Sequence, residues 1–129
     1  MKTTLSLLFA FFLSTFLFSS CKKNPDSGKI KYVFSSSLTT PIEFTIDYNN
    51  DFGQENSETV TSTYWEKSCD YTKMGEWASF TVNGFNPSGN LPNFTGTLKI
   101  YKNGELVNEL QVETNNEAFF QESLGFYLW

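Results

Sequence analysis

Between residues 42 and 48 the chain alternates without a lapse: Ile42, Phe44, Ile46 and Tyr48 are apolar, and Glu43, Thr45 and Asp47 between them are polar. Successive side chains on a strand point to opposite faces, so this pattern specifies a strand with one face in a core and the other in water. The segment before it behaves alike, with Ile30, Tyr32 and Phe34 set against Lys29 and Lys31. Residues 35–41 break the run, because Pro41 has no amide hydrogen to give a ladder and holds Thr40 extended. The two segments predict either a first hairpin or a strand that changes sheets.

Further strands are expected at residues 58–63, 65–71, 77–83, 96–101, 105–112 and 118–128, divided by clusters of Asn, Gly, Ser and Pro. Short strands at this spacing predict an all-β fold, a β-sandwich of seven or eight mostly antiparallel strands. Nine Phe, three Trp and six Tyr beyond residue 20 supply the bulk to fill it. The final apolar strand is expected to carry Trp129 at its end. At residues 102–104 the turn chemistry bears on register. A two-residue loop of Asn103 and Gly104 would place Leu98 and Ile100 on one face and Leu106 and Leu110 on the other. A three-residue loop with Gly104 left-handed in a bulge would pair Tyr101 with Glu105 and gather all four on one face. The bulged hairpin is therefore expected, with Asn108 turned inward and needing a partner.

The N-terminus has a different character. Lys2 precedes an apolar run from residue 5 to residue 18, broken by Ser6, Ser14 and Thr15. At 14 residues the run falls short of the roughly 20 that span a bilayer, and it reads as an export signal. Its tail, Phe18-Ser19-Ser20-Cys21, resembles the lipobox of bacterial lipoproteins, with Phe18 where the usual pattern has an aliphatic residue. That resemblance implies a diacylglycerol on the Cys21 thiol, cleavage before Cys21, and a fatty acyl group such as palmitate on the new amine. The expected organisation is a signal peptide over 1–20, forming a signal helix, a lipidated tether over 21–28, and one sandwich domain over 29–129. Membrane lipid would then be a partner through Cys21. Lys22 and Lys23 after the cysteine, without an acidic cluster, favour an outer membrane location facing the periplasm over the cell surface.

Charge narrows the function classes. The chain has nine Lys, no Arg, no His and fourteen acids, for a net charge of −5, and loss of Lys2 with the signal makes it −6. Such a chain lacks the basic footprint and guanidinium forks that nucleic-acid binding uses. Only Cys69 remains besides Cys21, so no intramolecular disulfide is expected, and with no His to serve as its base Cys69 reads as a small buried residue.

The order of landmarks also resembles a known family. Tyr32-Val33-Phe34, Ile46-Asp47-Tyr48-Asn49-Asn50-Asp51-Phe52-Gly53, Trp65, and the stretch Leu98-Lys99-Ile100-Tyr101-Lys102-Asn103-Gly104-Glu105-Leu106-Val107 look like the soluble domain of the mycobacterial membrane protein small family. The likeness covers about residues 30–112 and implies an immunoglobulin-like or transthyretin-like sandwich that assists a membrane transporter. Tyr64 stands where that family has Pro, and a lipid anchor replaces its transmembrane helix.

Chemistry has few candidates. Asp47, Asn49, Asp51 and Glu58 fall at positions one, three, five and twelve of a calcium-loop pattern. Gly53 occupies the seventh position rather than the sixth, so a simple hairpin turn is expected and no metal or other cofactor. With no His, no phosphate loop and no nucleophile motif, the chain reads as non-catalytic. The first expectation is an interaction or accessory module with a protein partner in the envelope. The alternative is a glycan or small-ligand binder using Tyr64, Trp65, Trp77 and Phe94.

Overall fold

A computed structural model describes residues 27–50, 53–72 and 75–129; the signal segment, Cys21 and residues 22–26 lie outside the described residues. Eight strands follow in order: β1 (Gly28–Ser36), β2 (Glu43–Asn49), β3 (Glu55–Thr61), β4 (Tyr64–Tyr71), β5 (Trp77–Phe85), β6 (Phe94–Lys102), β7 (Glu105–Thr114) and β8 (Phe119–Tyr127). They form two four-stranded sheets, β4-β1-β6-β7 and β3-β2-β5-β8, in which every pairing is antiparallel. The expected all-β sandwich is what the chain forms. Of the two arrangements open for the first segments, the sheet change holds, since β1 and β2 belong to opposite sheets. Gly28, assigned above to the tether, opens β1 opposite Tyr71.

The alternating residues meet between the sheets. Ile30, Tyr32 and Phe34 of β1 face Phe44, Ile46 and Tyr48 of β2 together with Ala78, Phe80 and Val82 of β5, all buried. Aromatic pairs bolt the layers together: Phe34 on Phe44 at 4.9 Å, Tyr32 on Phe80 at 5.3 Å, and Phe94 on Phe120 at 5.4 Å. Offset and edge-on rings of this kind add roughly 0.5–1.5 kcal/mol each beyond the area they bury. Cys69 belongs to the same core, as its composition suggested.

The β6–β7 hairpin corrects the expected register. Asn103 (φ 53°) and Gly104 (φ 89°) are both left-handed, the signature of a two-residue type I′ turn, and Lys102 pairs with Glu105. The extra residue lies instead two places into β7, where pairing shifts from Tyr101↔Leu106 to Ile100↔Asn108 and passes over Val107. This bulge brings Leu110 and Val112 back to the core face and leaves Leu106 exposed on the outer one. Two devices, a tight turn and a displaced bulge, thus gather Leu98, Ile100 and Leu110 on one face and exclude Leu106, which one bulged turn was expected to include. Asn108 does point inward, and its Nδ2 donates to the Gly125 carbonyl at 2.7 Å, tying β7 to β8 across the sandwich edge.

The opposite edge is closed by a polar cluster. Glu58 on the inner side of β3 accepts at Oε1 from Lys67 Nζ (2.6 Å) and from the Tyr48 hydroxyl (2.7 Å), and at Oε2 from Trp65 Nε1 (3.2 Å). The Lys67 bond first and the Tyr48 bond second hold the Glu58 carboxyl down to about 2, below its usual 4.5. The same contact with Glu58 raises Lys67, while burial and then the Glu58 bond raise Tyr48. A depressed carboxyl stabilises the fold above the ordinary carboxylate range, and that contribution fades as pH falls from about 4.5 toward 2. The gap in melting temperature between the protein and Glu58→Gln should therefore hold above about pH 5 and narrow from there toward about pH 2. A gap that stays constant over that interval would show that the cluster holds no charge-dependent stability.

Candidate functional site

The two outer faces of the sandwich differ in chemistry. On the β4-β1-β6-β7 sheet, cross-strand ion pairs occupy the surface: Lys29–Asp70 at 3.6 Å, Lys31–Glu66 at 3.9 Å and Lys99–Glu109 at 3.3 Å. Exposed pairs of this sort contribute about 0–1 kcal/mol each, and this is an ordinary solvated face.

The outer side of β5 and β8 carries no charge. Inward Ala78, Phe80, Val82 and Gly84 set the phase of β5, which leaves Trp77, Ser79, Thr81, Asn83 and Phe85 facing out. Their partners on β8 are Tyr127, Gly125, Ser123, Gln121 and Phe119 in that order. The resulting strip has a pair of rings at each end and hydroxyls and amides between, with Thr81 Oγ1 and Ser123 Oγ 2.8 Å apart at its centre. At about 3.3 Å per residue it runs about 26 Å from Trp77 to Phe85.

The end of the strip at Phe85 and Phe119, exposed by 60% and 51%, opens into a depression of about 720 Å³. Ile42, Glu43, Thr45, Asn83, Asn86 and Pro87 complete its walls. That size falls within the usual range for small-ligand sites, and the mix of apolar rings with a few amides and one carboxylate is what such sites use to orient a ligand. Asn83 is held in place, since its Nδ2 donates to Asp47 Oδ2 at 3.0 Å. The neighbouring loop is braced rather than loose: Asn86 Nδ2 donates to the Asn90 carbonyl at 3.0 Å, and buried Leu91 donates its amide to the Glu117 carbonyl at 2.6 Å.

The four aromatics expected from sequence do not share a surface. Trp65 and Phe94 are buried in the core, Trp65 within the Glu58 cluster and Phe94 against Phe44 and Phe120. Tyr64 and Trp77 are exposed, but Tyr64 starts β4 in one sheet and Trp77 starts β5 in the other. Phe85, Phe119, Tyr127 and Trp129 were missed, although the parity set by Phe80 and Val82 on β5, and by Leu124 on β8, could have placed them outside. The calcium-pattern residues do not converge either. Asp47 lies on the outer face of β2 and Glu58 on the inner face of β3, Asn49 donates its Nδ2 to the Trp77 carbonyl at 3.1 Å, and Asp51 lies outside the described residues. Among the described residues no group of three or more acidic or thiol side chains is placed to hold a metal ion.

No family model matches the chain, and no curated protein matches it significantly.

Proposed function

We propose that the protein is a lipid-anchored, non-catalytic binding module of the cell envelope, and that its ligand is a neutral glycan. The observation that carries the ligand is the depression at Phe85 and Phe119, where exposed rings stand beside Asn83, Asn86, Thr45 and Glu43. Sugars present apolar C–H faces that pack on aromatic rings and vicinal hydroxyls that pair with amides and carboxylates, and they carry no charge to need a cation. The strip leading away from the depression continues its rings, amides and hydroxyls without a charge, so a chain of several sugars can lie along it. The anchor rests on Phe18-Ser19-Ser20-Cys21 and on the polar, breaker-rich residues 22–28, with the outer membrane facing the periplasm as the location.

The test is retention on immobilised neutral polysaccharides and a panel of oligosaccharides. The protein should bind at least one neutral glycan, and Phe85→Ala or Phe119→Ala should each weaken that binding about tenfold or more, since a stacked ring is worth about 1.4 kcal/mol or more. Both side chains are exposed, so the melting temperature should hold. Retention of no glycan, or undiminished binding by both variants, would sink the ligand assignment. Capture of a defined envelope protein through the same two rings would instead favour the accessory-module reading.

A further inference from the structure

The other end of the strip has surroundings of its own. Trp77 (62% exposed) meets Tyr127 edge-on at 5.4 Å, and Tyr127 meets Trp129 (73% exposed) at 6.3 Å, with Phe126 against Trp129 at 5.9 Å. The backbone holds this group firmly, because Leu128 donates to the Glu76 carbonyl at 2.8 Å and accepts from Gly75 at 2.6 Å. The cluster sits where β1 begins. Lys102, the strand partner of Ile30, donates its Nζ to the Trp129 carbonyl at 3.1 Å, and the next residue, Asn103, donates its amide to the Lys29 carbonyl at 2.8 Å.

We infer that this aromatic end of the sandwich rests on the lipid bilayer surface. The inference rests on the proposed acylation of Cys21. Seven residue steps separate Cys21 from Gly28, which span at most about 25 Å fully extended. The end bearing Trp77, Tyr127 and Trp129 is therefore the one that the tether holds nearest the lipid. Trp and Tyr are the side chains that settle at the boundary between acyl chains and headgroups, each with an apolar body and a polar edge. Charge at this end is mixed, with Lys29 and Lys102 beside Asp70 and Glu76, so contact should depend little on whether the lipid is anionic. The depression at Phe85 and Phe119 then faces away from the membrane.

Brominated acyl chains quench tryptophan only on contact, and buried Trp65 supplies an internal reference for an intact fold. The acylated full-length lipoprotein, reconstituted into phosphatidylcholine vesicles with brominated chains, should lose about half of its tryptophan emission relative to unbrominated vesicles. Vesicles containing phosphatidylglycerol should give a similar loss. The double variant Trp77→Phe and Trp129→Phe should lose almost none, while its remaining Trp65 emission still reports the fold. Protein that is acylated and floats with the vesicles yet shows no quenching overturns the docking alone. A concentration-dependent dimer that shields Trp129 overturns it in favour of a second copy, and a chain without acyl groups overturns both the docking and the anchor.

Discussion

Deletion of residues 124–129 is expected to leave a chain without a cooperative unfolding transition. Those residues include four of the nine in β8: Leu124, Gly125, Phe126 and Tyr127 pair with Phe80, Ser79, Ala78 and Trp77, and Leu124 and Leu128 are buried. Truncating a buried Leu costs about 2–5 kcal/mol, and each lost ladder bond adds about 0.5–1.5 kcal/mol. Together these rival the 5–15 kcal/mol or so that holds a domain folded. Asn108 also loses the Gly125 carbonyl that satisfies its inward amide. Circular dichroism on heating should show one sigmoidal transition for the full chain and none for the truncated one, with Leu124→Ala melting in between. An unchanged melting temperature after truncation would mean that β8 contributes nothing to the core.

Replacing Cys21 with Ser is expected to move the protein from the membrane fraction to the soluble one. Buried acyl chains contribute about 0.8 kcal/mol per methylene, so two or three of them hold a protein firmly, and serine cannot form the thioether that attaches the first. The membrane contact proposed for the aromatic end would be shallow and should not retain the variant by itself. Mass spectrometry gives a check independent of fractionation, because the wild-type chain should begin at Cys21 with the added mass of its acyl groups. An unmodified Cys21, or a variant that stays in the membrane after its signal has been removed, would end the lipoprotein reading.

All eight strands were legible in the sequence because each carries alternation or a turn signal that needs no knowledge of its neighbours. The errors lie where a neighbour decides. β3 begins at Glu55, earlier than expected, because its inward residues Asn56 and Glu58 are polar and only Lys67, Tyr48 and Trp65 make that inward face tenable. The β6–β7 register turned on where an extra residue would be inserted, and Asn-Gly can serve either loop length; the bulge at Val107 is a tertiary choice that returns Leu110 to the core. Adjacent aromatics hid the candidate surface. Tyr64 and Trp65, or Phe119 and Phe120, cannot both face inward, and composition does not say which one does, whereas the phase of the flanking strand does.

Strand order also governs when the domain can form. β1 lies between β4 and β6, pairing Ile30 with Lys102, and β5 lies between β2 and β8, pairing Trp77 with Tyr127. Neither sheet is complete until the last third of the chain is present, since β6 and β7 finish one and β8 finishes the other. Contacts so distant in sequence make folding slow, on the order of milliseconds to seconds. A chain exported as proposed would therefore cross the membrane before either layer could be completed, and it would acquire its shape only after nearly all of it had arrived.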